Sequence, residues 1–196
     1  MKIRALALGV ALLALGACNS NNDNNGSSTA QSDAAKEKAG DKTIASGLTH
    51  DAQFMAAAKS AGLDQTLAGP GPYTVFVPTD QAFAAAPAGT FDGKPENRAQ
   101  ITGVLTNLIL PGTVLVADID KGIDQGKGKM PIRTMGGGLI TASKEGGKTV
   151  LSDSSGHKAA ITQSDQQFSN GVVHHIDGLL MPGGEGQPQD GAAPAQ

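Results

Sequence analysis

Apolar positions along the chain fall into three patterns: one unbroken run near the start, two stretches of helical spacing, and a series of short β-prone runs. Phe54, Ala57, Ala58 and Ala61 stand at i, i+3, i+4 and i+7, one face of a helix. Asp51 lies in its first turn, Lys59 in its last and Gly62 just past the end. Residues 73–77 form a short β-prone run entered from Gly69-Pro70-Gly71-Pro72. Pro78 ends it, and Thr79 or Asp80 is placed to cap a short helix through Phe83 that Pro87 closes. Ile101, Val104, Leu105 and Leu108 repeat the helical spacing, which predicts a second helix from Pro95 to about Ile109, stopped by Pro111-Gly112.

Beyond Gly112 the spacing changes. Short strands are expected near 113–116, 132–135, 139–143, 149–152, 158–162 and 172–176, separated by Gly- and Ser-rich turns. Helices first and strands after predict an α+β fold, with the helices packed on a small β-sandwich.

Composition narrows the function. Of 196 residues 39% are hydrophobic but only 3% aromatic, with 27 Gly and 10 Pro, which suits a modest core with many turns. The net charge of −3 argues against a broad basic surface for nucleic acid. The single cysteine excludes an intrachain disulfide framework and a zinc site built on paired cysteines.

That cysteine has a context. Met1-Lys2-Ile3-Arg4 is positive, and the apolar run over 5–15 is too short to span a bilayer core, which needs about 20 residues. It fits the hydrophobic region of a signal peptide over 1–17. Leu15-Gly16-Ala17-Cys18 resembles a bacterial lipobox, which implies lipid on Cys18 and a membrane as partner. Asn19 after the cysteine, rather than Asp, favours the outer membrane. Residues 19–42 contain no Val, Ile, Leu, Met or aromatic side chain, and a disordered tether is expected over 18–42. The tail over 183–196 is expected to be disordered as well. The folded unit is then 43–182, of ordinary single-domain size.

Two motifs lie within it. Thr74-Val75-Phe76-Val77-Pro78-Thr79-Asp80-Gln81-Ala82-Phe83 resembles the first motif of the fasciclin domain family. Asn170-Gly171-Val172-Val173-His174-His175-Ile176-Asp177, followed by Leu179-Leu180-Met181-Pro182, resembles the second. The resemblance implies a fasciclin-like wedge and a module for adhesion or binding, with an extracellular or envelope protein or polysaccharide as partner. It marks Asp165, Asn170 and His174 as candidate binding residues. It also shows departures: Asn107 and Leu108 stand where many members carry Tyr and His before the Pro-Gly, and Gln166 replaces an Ile after Asp165. Both departures argue against carrying over the integrin binding of animal members.

His174 and His175 are adjacent on a strand, so they point to opposite faces and do not share one ion; His174 reads as a structural hydrogen-bonding residue. His50 and His157 read as surface positions. Asp118, Asp120 and Asp124 begin like a calcium loop, but Gly122, Ile123 and Lys129 break it, leaving a solvated loop. Lys121, Lys127, Lys129 and Arg133 form a local basic group that could meet an anionic polymer, with solubility of an exposed hairpin as the default reading. No Gly-x-Ser-x-Gly elbow or phosphate loop is present. No catalytic residue, metal site or cofactor is therefore predicted, and the chain is not expected to be an enzyme. The alternative to an envelope adhesion module is a periplasmic carrier of a small ligand or metal.

Overall fold

The computed structural model describes residues 40–182. The expected signal peptide over 1–17, the expected tail over 183–196 and all but the last residues of the expected tether lie outside the described residues. Lys42, expected to end the tether, joins the fold: its carbonyl accepts from the Ser169 N–H at 3.0 Å.

Three helices come first: α1 (Ile44–Gly47), α2 (Ala52–Ala61) and α3 (Asp64–Ala68). β1 (Tyr73–Pro78) and α4 (Asp80–Ala84) follow, then a 3-10 turn (Pro95–Asn97) running into α5 (Arg98–Asn107), β2 (Ile109–Pro111) and α6 (Val116–Gln125). The rest is strand: β3 (Lys129–Arg133), β4 (Leu139–Glu145), β5 (Lys148–Ser152), β6 (Lys158–Phe168) and β7 (Gly171–Ile176).

The expected helical face is the buried one. Phe54, Ala57 and Ala58 of α2 pack in one core with Ile101, Val104 and Leu105 of α5 and with Val75, Phe76 and Val77 of β1. Gly62 ends α2 in the left-handed region, φ 75°, which costs glycine no Cβ clash; Leu63 N–H then reaches back to Ala58 O at 2.8 Å. Thr79 caps α4 through the Ala82 N–H at 3.4 Å. Phe83 returns to the core edge-on to both Phe54 and Phe91.

The strands form one seven-stranded sheet in the order β2-β1-β7-β6-β5-β4-β3. β3 to β7 run as an antiparallel meander, and β7 then lies parallel to β1, Tyr73 opposite Gly171 and Pro78 opposite Ile176. A strand flanked on both sides and covered on both faces reads as an apolar run, which is why Val75-Phe76-Val77 shows no alternation. Long β6 serves both halves: its start pairs with β5, its remainder with β7, with irregularities between Ile161 and Gln163 and between Gln163 and Gln166. The sheet's ends also meet, since Met135 N–H donates to Ile109 O at 2.7 Å. Both terminal strands contain proline, Pro111 in β2 and Pro131 in β3.

Several expectations are corrected. The second helix ends at Asn107 and Ile109 opens β2 instead, paired with Val75. Residues 113–116 are not a strand. The acidic segment containing Asp118, Asp120 and Asp124 is helix α6, not a loop, with Ile119 and Ile123 as its buried stripe. β6 extends to Phe168, beyond the expected 158–162.

Candidate functional site

The second motif lies on β7 and sends successive side chains to opposite faces. His174 points to the side where the chain crosses from β2 to α6. That crossing, 112–116, has backbone groups with no strand beside them, and side chains from three strands satisfy them. Thr74 of β1 donates its hydroxyl to Gly112 O and accepts from the Val114 N–H, both at 2.8 Å. His174 of β7 bonds Val114 O through Nε2 at 2.9 Å. Asp165 of β6 accepts the Val116 N–H on Oδ1 at 2.9 Å. These bonds stand where a ladder would: Gly112 O, both backbone groups of Val114 and the Val116 N–H are taken by side chains, while the Gly112 N–H reaches the Pro72 carbonyl at 2.9 Å.

The ring's protonation follows from its partners. Asp165 N–H donates to His174 Nδ1 at 3.1 Å, so Nδ1 carries no proton and Nε2 is the donor to Val114 O. His174 is fully buried and lies against the Phe76 ring, centroids 5.6 Å apart. Burial pushes its pKa below the usual 6.5, and neighbouring His175 pushes the same way, while the Val114 carbonyl and Asp165 oppose the shift. Asp165 sits at φ 59°, left-handed for a non-glycine residue, in the irregular part of β6.

Asn170 closes the other end of β7. Its Oδ1 accepts the Ile44 N–H at 2.8 Å, and its Nδ2 donates to Leu67 O and Gly69 O, each at 2.8 Å. Its own carbonyl accepts from Tyr73 N–H at 3.0 Å. One residue therefore joins α1 and the end of α3 through its side-chain amide and β1 through its main-chain carbonyl. Gly171 beside it has no space for a side chain, because a Cβ would run into the Tyr73 backbone.

His175 faces the helices, where its Nε2 meets Asp51 Oδ1 at 3.2 Å. Asp51 precedes α2 instead of lying in its first turn, and its side chain makes no bond to that helix's own N–H groups. The two histidines thus lie on opposite faces, and among the described residues no group of three His, Cys, Asp or Glu side chains is gathered to hold a metal ion. His50 is exposed. His157 is half exposed and meets Asp153 through Nδ1 at 2.8 Å. Asp153 was not singled out from the sequence, where Asp-Ser-Ser-Gly reads as an ordinary turn. Its buried carboxylate accepts from the N–H groups of Ser155, His157 and Met181, tying the end of the domain to the β5–β6 turn.

The departures from the family pattern are also accounted for locally. Leu108 is core, and buried Asn107 accepts the Thr134 hydroxyl at 3.1 Å, fastening the β3–β4 turn to α5. Gln166, after Asp165, is paired with Val173. In α6, Asp118 accepts the Leu115 N–H at 3.2 Å, and Asp120 pairs with Lys144 at 2.7 Å, which holds its carboxyl below the usual range. The basic group divides: Lys121 belongs to α6, Lys127 follows it, and Lys129 and Arg133 lie on β3.

Comparisons with known proteins agree with this architecture. The model of the fasciclin domain matches residues 51–182. Protein sll1483 of Synechocystis sp. is 33% identical over 141 residues, 71% of each chain. Transforming growth factor-beta-induced protein ig-h3 of Sus scrofa is 30% identical over 130 residues, which span 65% of this chain but 17% of that protein. A solved fasciclin domain pair from the insect cell adhesion molecule Fasciclin I matches 70% of this chain and half of that one, with a TM-score of 0.58 at 17% identity, a likeness of fold.

Proposed function

Because the chain belongs to the fasciclin domain family, we propose that it is a binding or adhesion module, held at the cell envelope by lipid on Cys18. Its partner is a protein or a polysaccharide met at the domain surface. The observation that supports this reading is how the motif side chains are used. Thr74, Asp165, Asn170 and His174 commit polar atoms to the domain's own backbone. They act on binding by holding the surface in shape, and contact chemistry is left to the exterior. Adhesion in the insect molecule is a property of that protein and is carried here as a proposal, since a shared fold does not by itself give function.

The anchor rests on the sequence around Cys18. More than one acyl chain on a single residue gives stable membrane attachment, whereas one chain gives marginal binding. Radiolabelled palmitate is expected to enter the protein and to be absent from Cys18→Ala. A deletion strain is expected to attach less well to surfaces, with recovery on return of the intact gene; unchanged attachment overturns the reading. Calorimetric titration with divalent ions separates it from a carrier: heat of binding tighter than about micromolar, lost in His174→Ala, would favour the carrier.

A further inference from the structure

The outward face of β3 to β6 differs in charge from the rest of the domain. Residues 40–182 hold eleven Lys or Arg and thirteen Asp or Glu, a net of −2. Strand alternation and register send Lys129 and Arg133 of β3, Lys148 of β5 and Lys158 of β6 to one side, with Glu145 of β4 as the acidic residue among them. The opposite side of the same strands is core, with Ile132, Ile140, Ala142, Leu151 and Ala159. The outward side chains of these strands therefore carry +3 and the remainder −5, with the Asp177 carboxylate at the β6 margin, on the Ala160 N–H at 2.7 Å.

Lys158 and Glu145 bond each other at 2.6 Å across the intervening β5. Lys129, Arg133 and Lys148 make no ion pair among the described residues, and all three are exposed. Lys129 and Arg133 are four residues apart on one strand, roughly 13 Å; Lys148 lies two strands across, roughly 10 Å sideways and two residues further along than Lys129, and faces Glu145 on β4. Between these cations the face presents the short hydroxyl side chains Thr141, Ser143 and Ser152, with Pro131 and the buried Val150 among them. It carries no aromatic ring, and its exposed large apolar side chain is Leu139 beside Arg133.

We propose that this face binds an acidic polysaccharide. Single cations set well apart match a chain that repeats one carboxylate or sulfate at intervals, and short hydroxyls between them leave room for sugar rings while offering hydrogen bonds. Neutral glycans gripped by stacking need aromatic rings, and a lipid surface gains from several inserted apolar side chains; this face supplies neither. The inference rests on the reading of the domain as a surface-acting module and gives its partner a chemical class.

The test uses the full chain purified in detergent, with alginate as probe and dextran as neutral control. Saturable alginate binding is expected, with dextran inert. The double variant Lys129→Glu/Arg133→Glu should weaken it at least about tenfold, while Lys59→Glu on α2 leaves it within about twofold. Because these side chains are exposed, circular dichroism should be unchanged. Raising salt from about 50 to about 500 mM should weaken wild-type binding as screening shortens the reach of the charges. No binding to alginate, equal binding to dextran, or indifference to the double variant overturns the proposal. So does charge-dependent retention on phosphatidylglycerol vesicles, relative to phosphatidylcholine, without alginate binding. If alginate fails while the wild-type gene still supports surface attachment, the partner class falls and the adhesion reading stands. If alginate binds as described but attachment never changes, the adhesion reading falls instead.

Discussion

His174 is neutral in the fold because one nitrogen must accept and the other must donate, inside a site without solvent. A depressed folded pKa means the unfolded chain takes up a proton that the folded chain lacks, once pH falls below about 6.5. The contribution to stability is complete above that value and is lost progressively down to the folded pKa. Urea unfolding midpoints should therefore drop between pH 7.5 and 5 more steeply in wild type than in His174→Gln, which can still accept and donate; parallel slopes would contradict the assignment. Asn170 is a second such residue. Asn170→Ala strands the Ile44 N–H and the carbonyls of Leu67 and Gly69, and is expected to cost about 3 kcal/mol in urea unfolding. A cost below about 1 kcal/mol, the size of one ordinary bond, would mean that the amide is not the joint described.

At the scale of elements, the crossing over 112–116 depends on Thr74. Thr74→Val keeps the shape but leaves Gly112 O and Val114 N–H without partners, and should lower stability by about 2 kcal/mol in denaturant titration. Gly171→Ala should be more severe, since the new methyl meets the Tyr73 backbone and forces β1 from β7; failure to accumulate folded protein is the expected result. The same elements show what the sequence could disclose. Helix α2 was legible because four apolar positions share one face and Gly62 follows them. Helix α6 was not, although Ile119 and Ile123 carry its spacing, because three Asp and Gly122 are poor helix formers. The Met130 side chain packs against Gly122 and would have to move for a Cβ there. Helices α1 and α3, of four and five residues, are too short to show a period. Of the candidate site, Asp165, Asn170 and His174 stood out by motif. Their partners did not, because Val114, Val116 and Ile44 contribute backbone groups, which every residue has.

For the whole domain, the two ends of the described chain are stitched into one piece. β1 pairs with β7, some hundred residues later, and Ile44 N–H reaches Asn170. Such contacts predict a single cooperative unfolding step. Tyr73, the one tyrosine of a chain without tryptophan, lies at the start of β1 and reports on this junction. Its fluorescence and the far-ultraviolet circular dichroism should trace superimposable denaturation curves; separated curves would show that the helices and the sheet melt independently. The terminal strands bear on a different matter. β2 is three residues long and finishes in proline, β3 has proline at its centre with a cation at either end, and Met135 links the two margins. Molecules crowded side by side would find little bare backbone on a neighbour to zip onto, so dense patches could form without tangling into fibres.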